Sequence, residues 1–136
     1  MSTSNPKDRH LQRRFLAALR EKCNDTEVEI DFLSSESAAL LGTQVHNYIL
    51  SLPENTVHNW NSARQQIIEH LTSLDNIIVL ENQWSLGAFS INTNTLNITI
   101  DAIYNLVGPD FYAVSFDLSR GCVFDNEEYH CSLRMW

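Results

Sequence analysis

The residues best placed for chemistry are three carboxylates alternating with apolar side chains, Glu27-Val28-Glu29-Ile30-Asp31-Phe32. In an extended chain this alternation sends Glu27, Glu29 and Asp31 to one face, about 6–7 Å apart, and Val28, Ile30 and Phe32 to the other. Three carboxylates so spaced could hold a hard divalent cation, but the segment lacks the lysine or histidine that would activate a metal-bound water. They could instead meet lysines and arginines of a partner protein. The bland alternative is an ordinary solvated strand face, or one docked on the protein's own basic helix. Asp117, Asp125, Glu127 and Glu128 fall at strand turns further on and extend the same surface if the fold brings them together.

Other chemistries find little support. Four widely separated glycines (Gly42, Gly87, Gly108, Gly121) build neither a phosphate loop nor a nucleophile elbow. Metal-site spacings of the HExxH, CxxC and EF-hand kinds are absent from the sequence. No lysine follows Lys22, which removes Schiff-base and phosphate-gripping lysines from the body of the chain. His10, His46, His58, His70 and His130 are scattered, and a histidine without an orienting partner is an ordinary surface or core residue. With Asn126-Glu127 as a two-residue turn, Cys122 would face Cys131, Phe124 would face Tyr129, and Val123 would face His130. A redox pair or half of a zinc site is conceivable there, but His130 points to the opposite face in this register. Two small thiols packing as hydrophobes is the preferred reading. No catalytic residue, metal ligand or cofactor is therefore expected.

Charge narrows the partners. Residues 1–22 set Lys7, Arg9, Arg13, Arg14, Arg20 and Lys22 against Asp8 and Glu21, a net of +4. The remainder sets Arg64, Arg120 and Arg134 against fifteen carboxylates, a net of −12. Such a body repels nucleic acid and anionic membrane and attracts basic surfaces. The sequence shows no apolar leader and no run approaching the ~20 residues that span a bilayer. Its three cysteines are an odd number, as suits a reducing, cytoplasmic setting. The glycosylation patterns at Asn24 and Asn97 are then chance matches.

These side chains need elements to position them. Forty-three per cent apolar residues suffice for one core, and 136 residues for one domain, 1–136. Leu11, Phe15, Ala18 and Leu19 recur at helical spacing, predicting a basic amphipathic helix over 6–22. An acidic strand over 27–32 comes next. Ser34-Ser35-Glu36-Ser37 caps a second helix with Leu41, Val45, Tyr48, Ile49 and Leu52 on one face. Trp60, Ala63, Ile67, Leu71 and Leu74 stripe a third over about 59–74, and the short linker favours a helical hairpin. The period then changes to two. Strands are expected at 77–80, 84–91, 96–100, 111–118, 121–125 and 128–136, with Thr93-Asn94 centring a hairpin that opposes Ile91 to Leu96 and Phe89 to Ile98. Residues 101–107 read equally as strand or as a helical turn ending at Gly108-Pro109. The fold class is α+β: an antiparallel meander of about five strands plus the acidic strand, with three helices mainly on one face. Expected core residues are Val28, Ile30, Phe32, Leu41, Val45, Ile49, Ile67, Leu71, Phe89, Ile98, Ile100, Val114, Phe116, Phe124 and Leu133.

The expectation for function is binding. Small acidic proteins of this kind, without catalytic motifs, are common among inhibitors of basic toxins, where carboxylates oppose a cationic groove and aromatics anchor the contact. An immunity or antitoxin-type inhibitor of a nuclease, acting on a basic partner protein, is the most specific form of that expectation. Two alternatives stay open: an adaptor or chaperone subunit, and a small enzyme with a pocket between sheet and helices. The basic helix packs on the acidic body, within the monomer or across a homodimer.

Overall fold

The computed structural model describes residues 6–25, 27–49, 51–57, 59–81, 87–107, 110–126 and 131–136. Helix α1 (Pro6–Cys23) leads into strand β1 (Ile30–Phe32), helix α2 (Ser35–Ile49), strand β2 (Asn55–Val57) and helix α3 (Trp60–Leu71). Strands β3 (Asn76–Glu81) and β4 (Ala88–Asn92) come after it. A 3-10 turn (Thr93–Thr95) then opens helix α4 (Leu96–Val107), and β5 (Phe111–Val114), β6 (Gly121–Asn126) and β7 (Cys131–Met135) complete the order. The class is α+β, as the segregation of periods implies. Among the described residues seven strands form one antiparallel sheet in the order β1-β4-β3-β5-β6-β7-β2, and no helix is long and apolar enough to cross a membrane.

Local signals account for the helix ends. Asn24, at φ 51°, terminates α1 in the left-handed conformation that asparagine tolerates. Ser34 Oγ accepts from the Ser37 N–H (3.1 Å) to cap α2, and Asn59 Oδ1 accepts from the Ser62 N–H (3.0 Å) to cap α3.

The sheet is covered on both faces. One face presents Ile77, Val79, Phe89, Ile91, Phe111, Ala113, Cys122, Phe124 and Leu133 to α1, α3 and α4. The other presents Ile78, Leu80, Ala88, Tyr112, Val114 and Val123 to Ala38, Leu41, Val45 and Ile49 of α2. Strands β3 and β5 are apolar in continuous runs because both their faces are buried. That double demand overturns the helical hairpin: α2 and α3 lie on opposite faces. Three helices do share a face, but they are α1, α3 and α4. Between α3 and α4, Asp101 accepts from Trp60 Nε1 (2.8 Å) and Arg64 Nε (2.9 Å), while Trp60 stacks on Tyr104 at 4.1 Å.

The largest correction is residues 96–107. They form one helix: 96–100 is not the second arm of a hairpin, and 101–107 takes the helical one of its two readings. Leu96, Ile98 and Ile100 fit a period of two, whereas Leu96, Thr99, Ile100 and Ile103 fit 3.6, and only the second set is buried. Ile98 separates the two patterns and is 47 % exposed. Asn92 starts the turn by accepting the Asn94 N–H (2.7 Å). Ile91 accordingly pairs with Ile77 and Ile30, and Phe89 with Val79 and Phe32.

The C-terminal hairpin also differs in register. Cys122 opposes Met135, Phe124 opposes Leu133, and Cys131 opposes Asn126, so the two cysteines are not cross-strand neighbours. The offset is even, which keeps Cys122, Phe124 and Leu133 on the core face, and apolar patterning therefore cannot distinguish the registers. Residues 127–130, including Tyr129 and His130, lie outside the described residues, as do His58, Trp84 and Gly108-Pro109.

Candidate protein-binding surface

The acidic row holds its alternation but not its length. Val28 is buried, Ile30 and Phe32 pack on the core, and Glu27, Glu29 and Asp31 are exposed. Only 30–32 join the sheet, and in that register β4 ends opposite Glu29, so 27–28 run past it. Phe15 of α1 packs on Phe32 and Phe89, with ring centroids 6.4 and 5.1 Å away. Arg20 Nε donates to the Val28 carbonyl at 2.8 Å and ties the flank of α1 to the chain just before β1. Asp25 Oδ1 accepts the Glu27 N–H (2.9 Å). Ala17, Arg20, Glu21, Asn24, Asp25 and Glu27 line an open depression there.

Of the turn carboxylates, the two among the described residues, Asp117 and Asp125, lie towards opposite ends of the sheet. The strand pairings put the β5–β6 connection, with Asp117, at the end of the sheet where β3 begins and β4 ends. Asp125 lies towards the opposite end. Glu127 and Glu128 fall outside the described residues. Asp117 instead shares its end of the sheet with Asp25, Glu27 and Asp75. From β1 to β5 is three strand spacings, about 14–15 Å. Arg20, Lys22 and Arg120 also lie at this end, with Arg120 donating to the His70 carbonyl (3.1 Å) and Ser73 Oγ (2.7 Å).

The segment Ser115-Phe116-Asp117-Leu118-Ser119-Arg120-Gly121 gives this end its shape, and it is not the strand extension expected through 118. Ser115 N–H donates to the Arg120 carbonyl (2.8 Å). Asp117 Oδ1 accepts from Ser115 Oγ (2.9 Å), Ser119 N–H (3.0 Å) and Ser119 Oγ (2.7 Å). Those donors stabilise the ionised form and hold its pKa down to about 2, with the Ser119 hydroxyl contributing most. Leu118 sits at φ 61°, an uncommon conformation for a bulky side chain, and its carbonyl accepts from Trp136 Nε1 (2.9 Å). The Trp136 ring covers Gly121, where a Cβ would come within 2.6 Å of it, and lies 5.1 Å from the Tyr48 ring.

The loop so fixed holds Phe116 outward, 61 % exposed, against the expectation of burial. Tyr48 of α2, beside Trp136, is 44 % exposed. Sequence reasoning read Phe116 as a strand residue. The available signal was the turn chemistry of Ser115, Asp117, Ser119 and Gly121, which competes with a continued strand.

The remaining reactive groups are dispersed. His70 Nε2 meets the Trp136 main-chain oxygen at 2.7 Å, and His10 and His46 lie exposed on separate helices. Burial pushes the Cys122 thiol up to about 12. Among the described residues no group of three or more His, Cys, Asp and Glu side chains is arranged to hold a metal ion. No protein-family model matches the chain, and neither a curated protein nor a solved structure matches it.

Proposed function

We propose that the chain is a binding protein that sequesters a basic partner protein, in the manner of an immunity or antitoxin-type inhibitor of a nuclease toxin. The observation that carries this reading is Phe116, a large apolar side chain held out on a hydrogen-bonded loop beside an ionised Asp117. An aromatic on a pre-ordered loop loses little entropy on docking and suits the centre of an interface. Asp25, Glu27 and Asp75 share its end of the sheet, where the guanidinium groups of Arg20 and Arg120 are engaged by main-chain carbonyls. A nuclease must carry a cationic groove to hold phosphate, and an acidic rim around an aromatic anchor is the complementary surface.

The test is affinity capture from native lysate, followed by measurement of the captured partner against Phe116→Ala. Binding should weaken at least about tenfold, the scale of a modest hot spot, while the melting temperature stays within a degree or two of wild type. Unchanged affinity would sink the Phe116 interface.

A further inference from the structure

Among the described residues no strand pairs with the outer side of β1, and the ladder phase fixes what that edge offers. The Leu33 N–H donates to the Ala88 carbonyl at 2.9 Å. In an antiparallel pair, residues that exchange hydrogen bonds alternate with residues that do not. Leu33 and Asp31 therefore turn their main-chain groups towards β4, and Ile30 and Phe32 turn theirs away from it. Among the described residues no group bonds to the outward N–H and C=O of Ile30 and Phe32, since β1 pairs with β4 alone and Arg20 engages only Val28. Two residues thus present four unpaired main-chain groups in strand geometry. At the other edge, β2 offers less. The Gly121 and Trp136 pair exchanges both of its main-chain bonds, which places Ser132 in the set bonded to β6. Asn55 and Val57 are then spent on β7, leaving Thr56 as the outward residue of β2.

The side chains on either side of this edge specify an occupant. Asp31 stands exposed on the α2 side, preceded by exposed Glu29 and Glu27. Ile30 and Phe32 stand on the opposite side, where half-buried Phe32 meets Phe15 and forms an apolar ledge under α1. A strand laid along β1 places one residue beside Asp31 and its two neighbours beside Ile30 and Phe32. Lysine or arginine suits the first position, and apolar residues suit the other two. A second copy of this chain fits badly, because its own β1 would set Asp31 and Glu29 against the same carboxylates. Short, charged edges resist self-pairing for this reason, and the charge that excludes a copy favours a strand of opposite sign.

We propose that β1 accepts an extended basic–apolar segment of the partner protein as an eighth strand, by main-chain pairing to Ile30 and Phe32 with a cation set against Asp31. This rests on the binding reading above and adds a contact that is physically separate from Phe116. Main-chain pairing supplies the attachment, and the alternation supplies its selectivity.

The experiment uses the full chain and a short capped peptide of alternating lysine and valine. In the free protein the Ile30 and Phe32 amides should exchange quickly with solvent and the Asp31 amide slowly. The peptide should slow Ile30 and Phe32 exchange at least about tenfold, as hydrogen-bonded protection implies. A peptide of the same charge with N-methylated valines keeps the electrostatics but cannot complete the pairing, so it should protect neither amide. Asp31→Lys, at an exposed position, should reverse the preference towards an alternating glutamate–valine peptide. The proposal fails if the lysine peptide leaves both amides exchanging as before, or if the N-methylated peptide protects them equally. Phe116→Ala should not alter peptide protection. Loss of partner binding in Phe116→Ala without peptide protection at β1 would leave the loop interface standing alone. Peptide protection with unaltered partner binding by Phe116→Ala would retain strand addition and remove the loop.

Discussion

On strand β7, Ser132 Oγ and Arg134 Nε are buried with no hydrogen-bond partner among the described residues, two positions apart on the α2 side of the sheet. A buried hydroxyl with no partner costs about 1–3 kcal/mol in lost hydration. Ser132→Ala should therefore leave stability unchanged or raise it by up to about 1 kcal/mol, where removing a bonded serine would lower it. Denaturant unfolding measures the difference, and a loss above about 1 kcal/mol would show that the hydroxyl is satisfied in solution. Asp117 gives the opposite case, a carboxylate with three donors. Its folded pKa, about 2, lies below the unfolded value near 4, so its support of the loop is complete above the unfolded value. That support disappears as pH falls through about 2. Asp117 should keep its charge in mildly acidic buffer, and its carboxyl carbon should titrate near 2 by NMR. Neither residue was distinguishable in sequence. Ser132 and Ser115 both fall in segments expected to be strands; Ser115 meets Asp117 because the chain turns locally there, whereas Ser132 stays in β7.

Among the elements, α4 provides the sharpest comparison between sequence and structure. Asn97-Ile98-Thr99-Ile100 alternates as cleanly as Glu27–Phe32, and β-branched residues favour strands. The two segments differ in the residues immediately after them. Beyond Ile100, the apolar residues Ile103 and Val107 continue a helical stripe that packs on α1 and α3. Ile100→Ala should cost about 2–5 kcal/mol, as for a fully buried isoleucine, and Ile98→Ala less than about 1. Comparable losses at both sites would restore the strand reading. The first three helices, the β6–β7 hairpin and the inward set Val28, Ile30 and Phe32 were legible because their periods are unambiguous. The register of that hairpin and the placement of α2 on its own face depend on partners far along the chain, whereas the change of 115–118 from strand to loop rests on local turn bonds. Periodicity carries no information about them. The acidic row was likewise readable as a row, but its outer edge became visible only through the pairing of β1 with β4.

For the molecule as a whole, charge should act on encounter more than on residence. Neutralising the row with Glu27→Gln, Glu29→Gln and Asp31→Asn should slow association with the partner and flatten its salt dependence. Melting should stay close to wild type, since exposed carboxylates add little to stability. Stopped-flow measurements from low to physiological salt give both rate constants, and an unchanged salt slope would remove the row from the encounter surface. The outermost strands have a different consequence. β1 pairs with β4 and β2 with β7, while α2 runs between them across one face of the sheet. Residues 27–57 thus form a strap fastened at opposite edges. During synthesis this strap leaves the ribosome before either of its anchorages exists. Its apolar stripe must wait for β3 and β5, and β2 cannot pair until β7 has been made. A nascent chain paused short of β7 should leave β2 unpaired and open to chaperones and proteases, and completion of that single strand should close the window.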